Sequence, residues 1–470
     1  MFGKVDHIRR AFGRNLLNTL RQLREHRPDQ GDDRPEENPL AQFLAQFGIT
    51  PGPDGEFDLA ALTGRLQSVM AQFQTQMAGF GPTDPDSGMN WTFTRDIARR
   101  VTAANGPDTT PSAAEVARVR DAVGLADLWL DEELTFARLS TPAAAWSRAE
   151  WVENTFTTWQ QLSNPIVTSL AAALGSLMAR ETGPGEEFMK PMVRAAASGM
   201  FAAQVGQSLG SLATEVLSVS DIGLPLGERP QVALLPTNIE AFGAELENVT
   251  EADVLLFLAL RETARQRLFA AVGWLGPQLH ALVEHYARDI TIDTGALEQA
   301  IESQLSAAMS ADELEQAGQA LAGKLFEPAV TAEQTEVLER LETLLALVEG
   351  WVDEVVGHTM SRWMPNGAAL TEVVRRRRAA GGPAEAALKA LVGLELRPRR
   401  TRDAANLWAA TRATRGVQAR DSAWNHPDLI PTSADLDDPL GYAEHGHQAA
   451  APDDLDAELA KLLDEETGDQ

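Results

Sequence analysis

Hydrophobic and polar residues recur with a helical period in the stretch Val254–Phe269, VLLFLALRETARQRLF. One row of this stripe, at i, i+4 and i+7 spacing, consists of Val254, Leu258, Arg261, Arg265 and Leu268. The adjacent row consists of Leu255, Ala259, Glu262, Gln266 and Phe269. Thr250, three residues before Asp253, occupies the position of an N-cap, and nothing interrupts the pattern before Gly273 and Pro277. The pattern therefore predicts one long helix.

Two arginines and a glutamate lie in the middle of this apolar stripe, where charge is costly unless it is paired. Arg261, Glu262 and Arg265 form R-E-x-x-R, which has the spacing of H-E-x-x-H. In that zinc-protease motif the two histidines bind the metal and the glutamate polarises a water molecule. A guanidinium group has no lone pair to give and stays protonated, so neither arginine can ligate zinc. The geometry of the motif is present, but both imidazoles are absent.

From Asn90 onward the sequence follows one helical pattern after another, and alternating segments typical of strands are scarce. Thr331–Gln334 and Ser310–Glu313 have the spacing of capping boxes, which mark helix N-termini. Gly206 and Gly210 predict a helix that packs closely against a neighbour through small residues. The fold class predicted for this part of the chain is mainly α, a body of many helices.

Composition narrows the possible partners and the compartment. The chain has 470 residues and a net charge of −28, which disfavours affinity for nucleic acid and for anionic membranes. It has no cysteine, so disulfides and thiolate metal sites are excluded, and a cytoplasmic location is expected. No apolar run approaches the roughly 18 residues of a membrane-spanning helix, so we expect no integral membrane segment.

The two ends of the chain differ from its middle. Val5–Leu23 is basic and amphipathic, without the apolar core of a signal peptide, and is followed by a polar linker that contains proline. Residues 1–89 are therefore predicted to be a flexible arm and linker with short helices. Residues 443–470 carry many Asp and Glu and are predicted to be an acidic tail.

Several longer segments resemble the bacterial zincin-like metallopeptidase family, whose members are described as hydrolases or zinc-dependent metalloproteases. They are GQSLGSLATEVLSVSDIGLPLG, the R-E-x-x-R helix with GWLGPQL after it, LETLLALVEGWVD, MNWTFTRDIAR and GGPAEAALKALVGLELRPRRTRDAANLW. The resemblance extends over Met89–Tyr442, so residues 90–442 are predicted to be a zincin-like helical domain. It implies that zinc is held at positions 261 and 265, with Glu349 as the third ligand and Glu262 as the general base.

The residues and the resemblance favour different functions. Catalytic zinc sites use three protein ligands and an open position, and here the family positions offer only Glu349. The residues favour a non-catalytic scaffold or binding protein with a degenerate zinc site, no cofactor and a peptide or protein as partner. The family favours an active zinc-dependent metalloprotease or hydrolase, with Glu262 as base and zinc as cofactor. A third interpretation is a helical interaction protein in which the cleft around the R-E-x-x-R segment has no role.

The charges at the degenerate site suggest what replaces a metal. A zinc ion held by two neutral histidines has a charge of +2, and two arginines at the same spacing also have a charge of +2. We therefore predict that Arg265, and with it Arg261, forms salt bridges with Glu349 or another buried acid. An intrahelical pair between Glu262 and Arg265, at i and i+3, is the milder alternative.

Other candidate groups have simpler interpretations. Five tryptophans are expected to be core residues: Trp91, Trp129, Trp146, Trp151 and Trp159. His280 and Glu284 have a spacing that could bind a divalent metal, but a hydrogen-bonded or surface histidine is the favoured interpretation. Two arginine clusters, 375–378 and 397–402, could bind phosphate or an acidic partner, and an internal charge match is favoured over that.

Overall fold

The structure is a computed structural model that describes residues 89–180, 186–247, 249–288, 331–379 and 400–446. All of them belong to one of the two units into which the chain divides, Thr75–Gln470. The predicted arm, the capping box at Ser310–Glu313 and nearly all of the acidic tail lie outside the described residues. Among the described residues no helix is long and apolar enough to cross a membrane.

Twelve α-helices account for most of the described residues, which confirms the predicted fold class. The first six are α1 (Trp91–Ala104), α2 (Ala113–Leu130), α3 (Arg148–Arg180), α4 (Glu186–Ala213), α5 (Pro236–Ala244) and α6 (Glu251–Ala271). The others are α7 (Leu275–Arg288), α8 (Ala332–Trp363), α9 (Gly367–Ala379), α10 (Thr401–Ser422), α11 (Ser433–Asp437) and α12 (Pro439–His445). Two short 3₁₀ turns, Ala423–Asn425 and Pro427–Leu429, follow α10.

Strand structure in the described ranges consists of two short parallel segments, β1 (Ala144–Ala145) and β2 (Ala233–Leu234), and an isolated antiparallel bridge between Ser218 and Leu234. Ala144 pairs with Ala233, and Ala145 pairs with Leu234. This pair fixes the ends of two long loops, one after α2 and one after α4. The loop after α4 matters most here because it supplies polar groups to the site described below.

The helix N-termini predicted from the sequence are confirmed where they are described. The hydroxyl of Thr250 accepts a hydrogen bond from the backbone N–H of Asp253 at the start of α6. At the start of α8, Thr331 and Gln334 form a reciprocal capping box. These caps satisfy backbone donors that would otherwise lack a partner in the first helical turn.

Helices α1 and α4 approach closely, as the two glycines predict. A Cβ atom at Gly206 would lie 2.6 Å from the carbonyl oxygen of Thr94, and one at Gly210 would lie 2.6 Å from that of Ala98. Any larger residue at either position would force the two backbones apart. The tryptophan prediction holds as well, since Trp91, Trp151 and Trp159 are buried and the other two are partly buried in the core.

Two helices form the centre of the structure. Every residue of α6 from Phe257 to Phe269 is buried, and so is every residue of α8 from Leu344 to Val356. The periodic stripe in the sequence suggested one apolar face, but α6 is covered on all sides, and its polar side chains are buried together with its apolar ones. Each of these charged groups must therefore find a partner inside the protein.

Candidate functional site

The R-E-x-x-R segment lies at the point where α6, α8 and α9 meet. Seven charged side chains come together there and are called the site cluster: Arg261, Glu262, Arg265, Glu349, Asp353, Arg375 and Arg378. Helix α6 supplies Arg261, Glu262 and Arg265. Helix α8 supplies Glu349 and Asp353, at i and i+4, and α9 supplies Arg375 and Arg378, at i and i+3. The loop after α4 borders the cluster and contributes two serines.

Glu349 is the centre of the site cluster. Its carboxylate accepts hydrogen bonds from Nε of Arg265 at 2.9 Å, from Nη2 of Arg265 at 3.2 Å and from Nη2 of Arg261 at 3.0 Å. It also accepts one from Nη1 of Arg378, whose Nη2 donates to the backbone oxygen of Asp221 at 3.0 Å. Both oxygens of Glu349 are therefore directed at guanidinium groups.

Asp353 connects two further arginines. One carboxylate oxygen accepts a hydrogen bond from Nη1 of Arg261, and the other accepts one from Nε of Arg375 at 2.8 Å. Arg261 therefore bridges Asp353 and Glu349, which lie one turn apart on α8. Its guanidinium carbon also lies 5.8 Å from the centre of the Phe257 ring, at a distance typical of a cation–π contact.

Glu262, the expected general base, has no free hydrogen-bonding position. One oxygen accepts from the hydroxyl of Ser220 at 2.6 Å and from the amide of Gln266 at 2.8 Å. The other accepts from the hydroxyl of Ser218 at 2.7 Å and from Nη1 of Arg265 at 2.6 Å. A carboxylate has about four lone-pair positions, and all four are used here.

Charge pairing outweighs burial at the two acids of α8. Burial alone would raise the pKa of Glu349, but the charges of Arg265, Arg378 and Arg261 hold that pKa well below its usual range. The pKa of Asp353 is lowered as well, because Arg261 and Arg375 oppose the effect of its burial. The pKa of Arg265 is raised by Glu349 and Glu262 in spite of burial. All of these groups are therefore charged at neutral pH.

The predicted ion pairs are confirmed: Arg265 and Arg261 both bind Glu349. The intrahelical alternative is also present, since Arg265 pairs with Glu262 as well. Several members of the site and its border were not predicted as site residues: Asp353, Arg375, Arg378, Ser218 and Ser220. The only available signals were the position of Asp353 four residues after Glu349 and the run of four arginines at 375–378.

The residues at this site do not fit a zinc ion. Positions 261 and 265 carry guanidinium groups that donate to Glu349, and Glu349 already accepts from three arginines. Among the described residues no group of three or more His, Cys, Asp or Glu is arranged to hold a metal. His280 is part of the packing, because its Nε2 lies 2.9 Å from the backbone oxygen of Pro225, and burial lowers its pKa.

The internal charge match expected for the arginine clusters is confirmed for residues 375–378. Arg377 lies near Asp221, and Arg376 pairs with Glu372 on the same helix. Arg397 and Arg399 lie outside the described residues.

A second buried group, called here the α10 cluster, consists of Arg412, Arg420, Glu354 and Asp421. Arg420 donates to Glu354 at 2.6 Å and to Asp421 at 2.8 Å.

The fold and the site define a helical protein whose central helix carries a segment with the spacing of H-E-x-x-H. The sequence model of the zincin-like metallopeptidases matches residues 89–443, about three-quarters of the chain, and the chain belongs to this family. The match begins at Met89 and ends one residue after Tyr442, so it covers the region over which the resemblance was recognised in the sequence.

A solved structure with a similar fold comes from Chloroflexus aurantiacus and is titled "a putative hydrolase with a novel fold". The two proteins share 19% sequence identity with a TM-score of 0.50, and the match covers 76% of this chain and 98% of that one. At this identity the likeness concerns the fold alone. No curated protein sequence matches this chain significantly.

Proposed function

We propose that this chain is a non-catalytic member of the zincin-like family, a scaffold or binding protein in which ion pairs take the place of the metal. The observation that carries this proposal is the occupancy of Glu349. The expected third zinc ligand accepts hydrogen bonds from Arg261, Arg265 and Arg378, and the first two stand where the histidines of the motif would be. A metal could bind only after these charge-assisted bonds were broken.

The charge balance of the site supports the same proposal. Arg261 and Arg265 supply the two positive charges that a zinc ion would bring, and Arg375 and Arg378 add two more from α9. Four arginines face three carboxylates in the site cluster. Asp221 also lies 3.8 Å from Arg378, so the described charges at the site are close to balanced. A divalent cation added to this group would gain little attraction, because the carboxylates are already paired with arginines.

The alternative is an active zinc-dependent hydrolase with Glu262 as general base, and family membership is the finding that favours it. Two observations weigh against it. A general base needs a free lone pair directed at the proton it removes, and all four positions of Glu262 are occupied. Arginine at both histidine positions leaves one family ligand where three are needed.

The absence of cysteine from the sequence supports a reducing compartment, and the cytoplasm is the location we propose. A peptide or protein is the proposed partner class, since the net charge of −28 opposes binding to nucleic acid.

Metal content of the purified full-length protein tests the proposal. We expect well under one equivalent of zinc by elemental analysis after dialysis against zinc-containing and then zinc-free buffer. Stoichiometric zinc that is retained in the parent and lost in Glu349→Ala would overturn the proposal. The measurement is decisive without any substrate.

A gain-of-ligand variant sharpens this test. Replacing both Arg261 and Arg265 by histidine restores the motif next to Glu349, and we expect zinc affinity above that of the parent. The matched control places two histidines at exposed arginines, Arg362→His with Arg376→His, which adds imidazoles without the site. Equal zinc uptake by both double variants would show that the geometry of the motif positions contributes nothing to zinc binding.

A further inference from the structure

An apolar groove lies between α2, α5 and the first two turns of α6, and none of its lining residues belongs to the site cluster. It has a cavity volume of about 460 Å³, within the range of ordinary ligand and peptide pockets. Its apolar lining includes Val119 and Ala122 from α2, Ile239 from α5, and Leu255 and Leu256 from α6. Val119 and Ile239 form a buried floor, and the other three are partly buried.

Apolar side chains continue from this groove along α2. Ala122, Leu125 and Trp129 follow each other at i, i+3 and i+7, so they lie on one face of the helix. Leu125 is 38% exposed although it lines the groove. Trp129 stacks on Trp363 with 6.1 Å between ring centres, and Trp363 is 59% exposed. A contiguous apolar strip of this kind on a highly charged protein is typical of an interaction surface.

The rim of the groove is acidic. Four carboxylates lie along it, namely Glu115, Asp121, Glu240 and Glu251, and Arg118 is the one basic residue among the groove's lining residues. Asp121, Glu240 and Glu251 are exposed, whereas Glu115 is partly buried and closes the N-terminal capping box of α2. Among the described residues the rim therefore has an excess of three negative charges around an apolar floor. Such a surface repels nucleic acid, anionic lipid and acidic peptides.

We propose that this groove binds an amphipathic helix with basic flanks, supplied by a partner protein. The apolar strip is built from helical rows at i, i+3 and i+7, and an amphipathic helix fits such a strip by laying its apolar side along it. The acidic rim selects lysine and arginine at the edges of that helix by charge complementarity. This inference holds whether or not the chain binds zinc, because the groove and the site cluster share no residue.

Fluorescence anisotropy with a labelled model peptide tests the proposal on the full-length protein. The probe is a leucine–lysine peptide with leucine at helical spacing, and its counterpart carries glutamate in place of every lysine. Leu125→Asp places a charge on the strip at an exposed position, so it should leave the fold intact, and circular dichroism checks this. Leu440→Asp is the matched control on α12, where Leu440 is 67% exposed and lies outside the groove.

We expect saturable binding of the basic peptide that is weakened about tenfold by Leu125→Asp and less than twofold by Leu440→Asp. Glu240→Lys should weaken binding and reduce its salt dependence, and Glu444→Lys, at an exposed site on α12, should not. The proposal is overturned if no binding occurs, if the acidic peptide binds equally well, or if both leucine variants weaken binding equally. Self-association of the chain that Leu125→Asp abolishes would assign the groove to a second copy instead of a separate partner.

Discussion

Helix α8 supplies carboxylates to two buried ion-pair clusters, and the individual acids of these clusters differ in their hydrogen-bond donors. In the site cluster, Glu349 accepts all four of its side-chain hydrogen bonds from arginines. In the α10 cluster, Asp421 accepts from Arg420 and also from neutral donors, the indole N–H of Trp351 and the backbone and hydroxyl of Thr135. Glu349 thus depends wholly on guanidinium groups, and Asp421 only in part. Glu354, the acid that α8 supplies to the α10 cluster, resembles Glu349, because it accepts hydrogen bonds from two arginines, Arg412 and Arg420.

Buried, well-paired charges occur at more than one place in the described residues, so they are not specific to the positions of the zinc motif. Both clusters join helices that are distant in sequence: the first joins α6, α8 and α9, and the second joins α8 to α10. Only the first occupies the positions of a zinc motif. The likeness of the site cluster to the α10 cluster supports the proposal that arginine–carboxylate pairs in the site cluster hold the helices together.

The largest effect is expected from Glu349→Ala. The substitution removes four hydrogen bonds and leaves four arginines facing two carboxylates, so the excess of positive charge in the site cluster increases. We expect the free energy of unfolding to fall by about 3–5 kcal/mol, measured by urea denaturation. Glu444→Ala, at an exposed position, is the control and should change it by less than about 0.5 kcal/mol. A Glu349→Ala protein that unfolds like the parent would refute the structural role of the cluster.

A smaller effect is expected from Arg420→Met in the α10 cluster. The variant loses hydrogen bonds to Glu354, Asp421 and the backbone oxygen of Glu133. The two acids keep other donors, since Arg412 still binds Glu354, and methionine fills much of the vacated volume. We expect a loss of about 2–3 kcal/mol by the same denaturation measurement. A loss larger than that of Glu349→Ala would reverse the order on which the comparison rests.

The smallest effects on stability are expected for two arginines on α9, Arg376 and Arg378. The side chain of Arg378 is 27% exposed and binds Glu349, whereas that of Arg376 is 78% exposed and pairs with Glu372 one turn away. Arg378→Ala should cost about 1–2 kcal/mol, and Arg376→Ala less than about 0.5 kcal/mol. Thermal unfolding of the two variants side by side measures the difference. Equal melting temperatures would mean that Arg378 adds no stability to the site cluster.

The local features of the fold could be predicted from the sequence. Helix α6 was predicted from its period and from Thr250, and the start of α8 from its capping box. The close packing of α4 against a neighbouring helix was predicted from Gly206 and Gly210, but the identity of that neighbour, α1, was not. The pairing of the two motif arginines with Glu349 or another buried acid was predicted from the cost of unpaired buried charge, and Glu349 itself was indicated by the family resemblance.

Other features depended on which distant segments the tertiary structure brings together. The sequence gives no distance between Asp353 and Arg375, or between Glu349 and Arg378, which meet only because α9 folds back onto α8. Likewise Ser218 and Ser220 reach Glu262 through the loop after α4, and Arg267, also buried on α6, pairs with Asp127 on α2. Helical period and charge are local properties that one segment carries by itself. The partner of a buried charge is decided by packing between segments far apart in the chain, and only the folded structure specifies it.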